Sequence, residues 1–387
     1  MEQVKNEQSA DVVILGGGMS GLALACQIAN YNEQHPDESK TAVVVEPRSN
    51  YQRDKTWCFW QHQPTPFDRA ITHQWHRWQV CANGRTHTSE YSQVPYVRVD
   101  SGHYYHIAQQ QLAKSESVSL ITGNSASKIL VCDKQIDVQC EALKITAEFA
   151  YDTRPKNIPG NTLLQHFVGW EITTDYDAFD PNIVTLMDFQ VTQANDIHFF
   201  YILPFDKRHA LVETTHFSKT LLTEDAYAEE LSDYLSGSLG LASWHIQNQE
   251  QGVIPMPQKS ASLTRREHFN VVPFGLHSDT PRPSTGYCYP HAQSQALEHV
   301  LNLFANKPPK AARNFFVRWL DQIFISFLEH HPEQAASTFF TLFEQVPTQV
   351  LIRFLGDNAK PFDYLKVIMA MPKIPFVREA VRSVSNP

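Results

Sequence analysis

The stretch from Asp11 to Leu24, DVVILGGGMSGLAL, limits what this chain can fold into more than any other. Four apolar residues, Val12 to Leu15, run into Gly16, Gly18 and Gly21, after which the apolar spacing becomes helical. That order is a strand, a tight turn and a helix start. Gly16 permits the turn, Gly18 lets backbone approach a pyrophosphate, and Gly21 lets helix pack against strand, so a diphosphate can sit on the positive helix N-terminus. A second strand, TAVVVE, ends in Glu46, whose carboxylate can accept hydrogen bonds from the adenosine ribose. The polar insert NYNEQHPDESK lengthens the usual spacing and reads as a surface loop. A dinucleotide site is the expected outcome.

With 387 residues the chain has room for two domains, or one large domain with an insertion. The net charge of −9 argues against a nucleic-acid partner, because phosphate binding needs a basic surface. No apolar run is long enough to span a bilayer and MEQVKNEQSA lacks a signal-peptide core, which predicts a soluble or peripheral protein. The six cysteines form no CxxC pair, as expected of a reduced cytoplasmic setting without a dithiol redox centre. The fifteen glycines hold no second GxGxxG, so a separate nicotinamide domain is not expected. The eighteen histidines form no HExxH or HxH string, and no metal site is expected.

Beyond Glu46, Arg53, Asp54 and Lys55 precede Trp57, Phe59 and Trp60. Aromatics this dense pack into cores, while basic residues after a ribose acid can also meet phosphate or cofactor rings. HQWHRWQVCANG reads as irregular strands with a turn at Asn83-Gly84. A short helix, a strand and a meander lead to ALKITAEFAYDTRP, which ends in Asp152 and Arg154. A charged pair at a strand's C-terminal end lies where open α/β sheets bind ligands; an exposed turn is the alternative. From Asn161 the period becomes two, in HFVGWEITT, NIVTLMDFQ, IHFFYILPF and HALVETTHF. Such a sheet, inserted in a nucleotide-binding domain, can roof an apolar substrate. The remainder is helical, with phenylalanine and leucine stripes that suit either a core or a lipid surface.

One carboxylate stands out. Alternation through HALVETTHF puts Leu211, Glu213 and Thr215 on one face. A desolvated carboxyl there has a raised pKa and can act as a general acid, whereas at an edge it would point to water.

RDKTWCFW, LQHFVGWEI, FDPNIVTLMDF, FFYILPF with ALVETTHFS, GVIPMP, RPSTGY and RFLGDNAKPFDYLKVIMAMPKIPF together resemble the bacterial lycopene β-cyclases, flavoproteins of carotenoid biosynthesis. The resemblance runs from about Asp11 to Val377. It implies an α/β fold: a Rossmann-like FAD-binding domain with an inserted antiparallel β-sheet substrate domain and a C-terminal helical region. The corresponding division is 1–160 and 263–306 for the FAD-binding domain, 161–262 for the substrate sheet and 307–387 for the helices. It further implies acid-initiated, redox-neutral cyclisation of lycopene or a related linear carotene, needing reduced FAD with NADPH or NADH as reductant. The family's catalytic glutamate falls on Glu213. Its flavin-contacting stretches fall on Gly16, Gly18, Gly21, Glu46, Asp152, Arg154 and the loop Pro283, Ser284, Thr285 and Gly286. Trp57, Phe59, Trp60, Phe167, Trp170, Phe200 and Tyr201 are the expected pocket lining. Relatives commonly carry paired glycines where this chain has Ser278 and Asp279, and Asp279 is a candidate partner of the ribityl chain. A membrane-dissolved substrate implies a cytoplasmic protein in peripheral contact with the inner membrane. A flavin monooxygenase or dehydrogenase acting on another apolar substrate shares the fold and is the competing reading; a carotenoid carrier is a third.

Overall fold

The computed structural model describes residues 6–132, 135–141, 143–194, 196–258, 270–309 and 313–385. The expected return segment thus begins outside the described residues, at 263–269. The apolar run Val12–Leu15 is fully buried, as a strand covered on both faces must be. Its strand, Asn6–Leu15, lies between Ala42–Val45 and Leu143–Asp152, with Val118–Ile121 beyond Ala42–Val45, all parallel. An antiparallel meander, Ala126–Cys132 and Gln135–Cys140, pairs with the first half of Leu143–Asp152. Val271–Pro273 returns to pair with Ala150–Asp152 at its end. Helices Met19–Gln34, Ser101–Leu112 and Tyr289–Phe304 pack their apolar residues on one face of this sheet. This mixed α/β arrangement is the expected Rossmann-like layer.

The second sheet has seven strands in the order His245–Met256, Leu163–Thr173, His209–Ser218, Ile197–Pro204, Ile183–Asp188, Arg77–Ala82 and Arg85–Glu90. Two of its strands come from inside the segment 1–160. They form a hairpin on Asn83 and Gly84, both at positive φ, as a two-residue turn between twisted strands requires. Composition marks where the period-two pattern begins, but a strand's sheet partner is not local in sequence. A third sheet has three strands, with Tyr96–Asp100 paired antiparallel to Thr56–Trp60 on one side and Ile71–Trp75 on the other.

The C-terminal region is helical as expected: Phe315–His330, Ala335–Gln345, Thr348–Leu355, Pro361–Ala370 and Lys373–Ser385. Phe327, Phe340, Leu342, Phe343 and Leu351 join one core with Trp78, Val80, Phe199 and Phe217 of the second sheet. The stripes of the last two helices behave otherwise. Phe362, Leu365, Ile368, Met369, Ile374 and Val377 are exposed. Among the described residues no helix is long and apolar enough to cross a membrane.

Candidate active site

At the nucleotide end, Gly16 has φ +98°, a backbone that L side chains rarely adopt. A Cβ on Gly21 would lie 1.9 Å from the Gly16 carbonyl oxygen, so the helix meets the strand only because that position is bare. Gly18 faces open space, the cradle that a diphosphate needs. Glu46 is buried at the end of its strand, accepting from Gly17 N (2.6 Å), Arg48 N (3.0 Å) and Arg48 Nε (2.7 Å). Asp152 does not reach the cavity itself. It grips Arg154 through Nε (2.9 Å) and Nη2 (3.0 Å), and Arg154 lines the cavity.

Gly16, Gly18, Glu46, Arg154, Ser284, Thr285 and Gly286 line one cavity of about 1330 Å³. Gly21, Pro283 and Asp279 stand outside its lining. The Asp279 carbonyl instead accepts from Arg313 Nη1 (2.9 Å). Ser278 stitches its own turn, donating to the Gly275 carbonyl (2.7 Å) and bonding the Thr280 hydroxyl (3.0 Å). Of the basic residues after Glu46, Lys55 lines the cavity, whereas Arg53 is held in ion pairs with Asp100 (2.9 Å) and Glu171.

The same cavity continues to the face of the second sheet that carries Glu213. Strand alternation places Glu213, Thr215, Gly169, Phe167, Tyr201 and Phe199 on that face. Glu213 is 8% exposed and lines the cavity; its Oε1 accepts from the Thr215 hydroxyl (3.0 Å). Burial raises its pKa well above the ordinary carboxyl value, and the Glu250 carboxylate adds to the rise. Glu250, which nothing in the linear sequence singled out, pairs with Gly169 from the other side. Its pKa is also raised by burial, but a Thr56 hydrogen bond and the charges of Arg98, Lys55 and Arg53 pull it back. A row of strand residues therefore reads Glu250, Gly169, Glu213, Tyr201, and only register reveals it.

Trp57, Trp60, Phe167 and Tyr201 line the cavity as expected. Three expected lining residues do not. Phe59 is buried against Tyr289, their rings 5.1 Å apart. Trp170 and Phe200 fall on the opposite face of the sheet, because each is one residue out of phase with Gly169 and Tyr201. There Phe200 stacks on Tyr234 at 3.7 Å. That reverse face also carries a row of histidines from three adjacent strands, His166, His216 and His198. His216 lies between Asp196 (2.7 Å) and Glu230 (2.9 Å), the latter on helix Glu224–Asp233.

The cavity is also bordered by Ile368, Met371, Pro372, Lys373, Phe376 and Val377 of the last two helices and the turn between them. The exposed apolar residues of those helices thus adjoin its rim.

Fold and site together define the class: an α/β chain of flavoprotein architecture whose nucleotide end shares one apolar cavity with a buried carboxyl group. The fold is shared with a geranylgeranyl bacteriochlorophyll reductase-like protein from Thermoplasma acidophilum (TM-score 0.70, 13% identity, 98% of this chain and 100% of that one). It is also shared with a flavin-dependent brominase (TM-score 0.61, 12% identity, 98% and 99%). Within that class, the chain belongs to the lycopene cyclase protein family, whose model matches residues 11–381. It is 29% identical over 229 residues to a lycopene beta-cyclase of a Paracoccus species, covering 54% of this chain and 57% of the relative. It is 24% identical over 311 residues to a chloroplastic neoxanthin synthase of Solanum tuberosum, covering 75% and 59%. In both cases less than two thirds of the relative's length is spanned.

Proposed function

We propose that the protein is a lycopene β-cyclase, closing the ψ-ends of lycopene to β-ionone rings by way of γ-carotene to β-carotene, with no net redox change. The observation that carries this reading is Glu213, a buried carboxyl group with a raised pKa facing an apolar, aromatic cavity. An acid kept neutral by burial holds its proton at pH values where an exposed glutamate has lost it. Protonation of the terminal double bond leaves a tertiary cation, which the next double bond attacks to close the ring. The lining residues Trp57, Trp60, Phe167 and Tyr201 surround that cation with aromatic side chains in place of water.

The nucleotide end fits FAD. The open cradle at Gly18 and the helix N-terminus suit its diphosphate, Glu46 its ribose, and Arg154 with Ser284, Thr285 and Gly286 the rest of the cofactor. Bound in reduced form, with NADPH or NADH as its reductant, FAD supplies negative charge that favours a cation beside it. Expression in a lycopene-accumulating bacterial host tests the reading. The expected result is a shift from red to orange-yellow pigment isomeric with lycopene. Product that has gained oxygen, in step with oxygen and NADPH consumption, would instead establish the monooxygenase.

The reading includes peripheral contact with an anionic bilayer. Supporting it, the exposed Phe362, Leu365, Ile368, Met369, Ile374 and Val377 adjoin the cavity rim, and Lys366, Lys373 and Arg378 lie exposed among them. Phe362, Met369 and Ile374 lie outside the cavity lining. Changing all three to Ser is expected to cut co-sedimentation with phosphatidylglycerol vesicles by at least ~10-fold, since each apolar side chain contributes roughly 1.5–3 kcal/mol when buried. Flavin content is expected to stay unchanged, and wild-type vesicle binding by the triple variant would move the contact elsewhere.

A further inference from the structure

Glu250, Gly169 and Glu213 stand abreast on three neighbouring strands, on the face that lines the cavity. Strands two apart are separated by about 9.5 Å, too far for two carboxyl groups to meet over an ordinary side chain between them. Gly169 removes that side chain. A Cβ placed there would lie 3.0 Å from Leu211 Cδ1, 3.4 Å from Glu250 Cγ and 3.5 Å from Glu213 Cβ, so a side chain at 169 would crowd Leu211 and stand between the two acids. Both glutamates are buried and both line the cavity, but their surroundings differ.

The groups facing Glu250 come from three elements. The stretch before and within Thr56–Trp60 brings Arg53, Lys55, Thr56 and Cys58; Tyr96–Asp100 brings Arg98; and His209–Ser218 brings Glu213. Arg53, Lys55 and Arg98 favour the anion at Glu250. Among the described residues, the Thr215 hydrogen bond is what favours the anion at Glu213. Of the pair, Glu213 keeps its proton and Glu250 gives its proton up first.

Resting on the cyclase reading above, we propose that Glu250 is the base that ends each cyclisation and returns the proton to Glu213 across the gap at Gly169. Glu213 gives its proton to one carbon of the terminal double bond, whose π pair forms the new C–H bond. The π pair of the neighbouring double bond forms the ring bond and leaves a ring cation. Glu250 then takes a proton from the adjacent ring carbon, and that C–H pair becomes the ring double bond. Transfer from Glu250 to Glu213 restores the starting state with no net gain or loss of protons or electrons. Placement of the base against one ring carbon also selects which double bond forms.

The test is Glu250→Gln in the flavin-loaded protein, a change that keeps shape and can still accept from Thr56. We expect kcat to fall by ~10²-fold with KM for the carotene and flavin content unchanged, and the residual product to include rings with a displaced double bond. Loss of the neighbouring negative charge lowers the pKa of Glu213, so the alkaline limb of kcat moves about one pH unit towards acid. Glu250→Asp, which keeps a shorter base, is expected to restore part of kcat and the normal ring. Wild-type kcat, product and pH limb in Glu250→Gln would overturn the role of Glu250 while leaving the cyclase reading intact. Failure of the wild-type protein itself to make isomeric product would overturn that reading.

Discussion

Glu213→Gln is expected to abolish ring closure, with a loss of ~10³-fold or more in kcat, while bound flavin and fold stay as they are. The amide has the shape of the acid and can still accept from Thr215, but it has no proton to give to an olefin. Stability bears on the same residue with a definite sign. A carboxyl whose folded pKa lies above its unfolded value of 4.5 favours the fold while protonated, and this contribution is lost as pH rises through the folded value. Glutamine does not ionise, so at alkaline pH the variant should melt no lower than wild type. Pigment analysis, flavin absorbance and a melting curve separate these effects. Near-normal cyclisation by a flavin-replete Glu213→Gln would remove the acid from the mechanism.

Gly21→Ala is expected to empty the nucleotide end. The added methyl would stand 1.9 Å from the Gly16 carbonyl oxygen, 3.1 Å from its carbon and 3.3 Å from Ile14 Cγ2, and backbone cannot rotate away as a side chain can. The helix start must shift from the strand, which carries the amide groups away from where a diphosphate sits. Overpacking of this kind costs about 1–3 kcal/mol, so flavin occupancy should fall at least ~10-fold and activity should follow it. The flavin-to-protein absorbance ratio reads this directly, and a flavin-replete variant would show that the turn tolerates bulk.

The Rossmann-like layer was legible because its signals are local: an apolar run, three glycines at fixed spacing and a terminal acid all lie within Asp11 to Glu46. Glu213 was legible for a similar reason, as one carboxylate in an apolar strand. Glu250 was not, because its strand, HIQNQEQGVIPM, is polar until its last residues and only the pairing with Gly169 shows which side it faces. Trp170 and Phe200 belong to aromatic stretches whose composition suits a cavity, but strand alternation turns them to the face opposite Glu213. Strands from 77–90 joined the second sheet for a reason no window of sequence contains, since Ile183–Asp188 pairs with Arg77–Ala82 across about a hundred residues. The histidine row is invisible in sequence for the same reason, its members being scattered on three strands with no motif string.

That row bears on how an alkaline loss of activity is to be interpreted. Thr214 and His216 alternate with Glu213 and Thr215 on one strand, so the back of the strand is anchored by the charges around His216. Burial opposes the imidazolium, yet its hydrogen bonds to Asp196 and Glu230 raise the pKa from 6.5 to about 9. The resulting grip on helix Glu224–Asp233 needs Asp196 and Glu230 ionised as well as His216 charged, and it slackens as pH climbs through about 9. Two processes are therefore to be told apart as pH rises: ionisation of the buried Glu213 carboxyl at the front, and loosening of its strand from behind. The first reverses on rapid neutralisation, whereas the second gives time-dependent inactivation, so a pH-jump assay distinguishes a spent acid from a strand that has lost its backing.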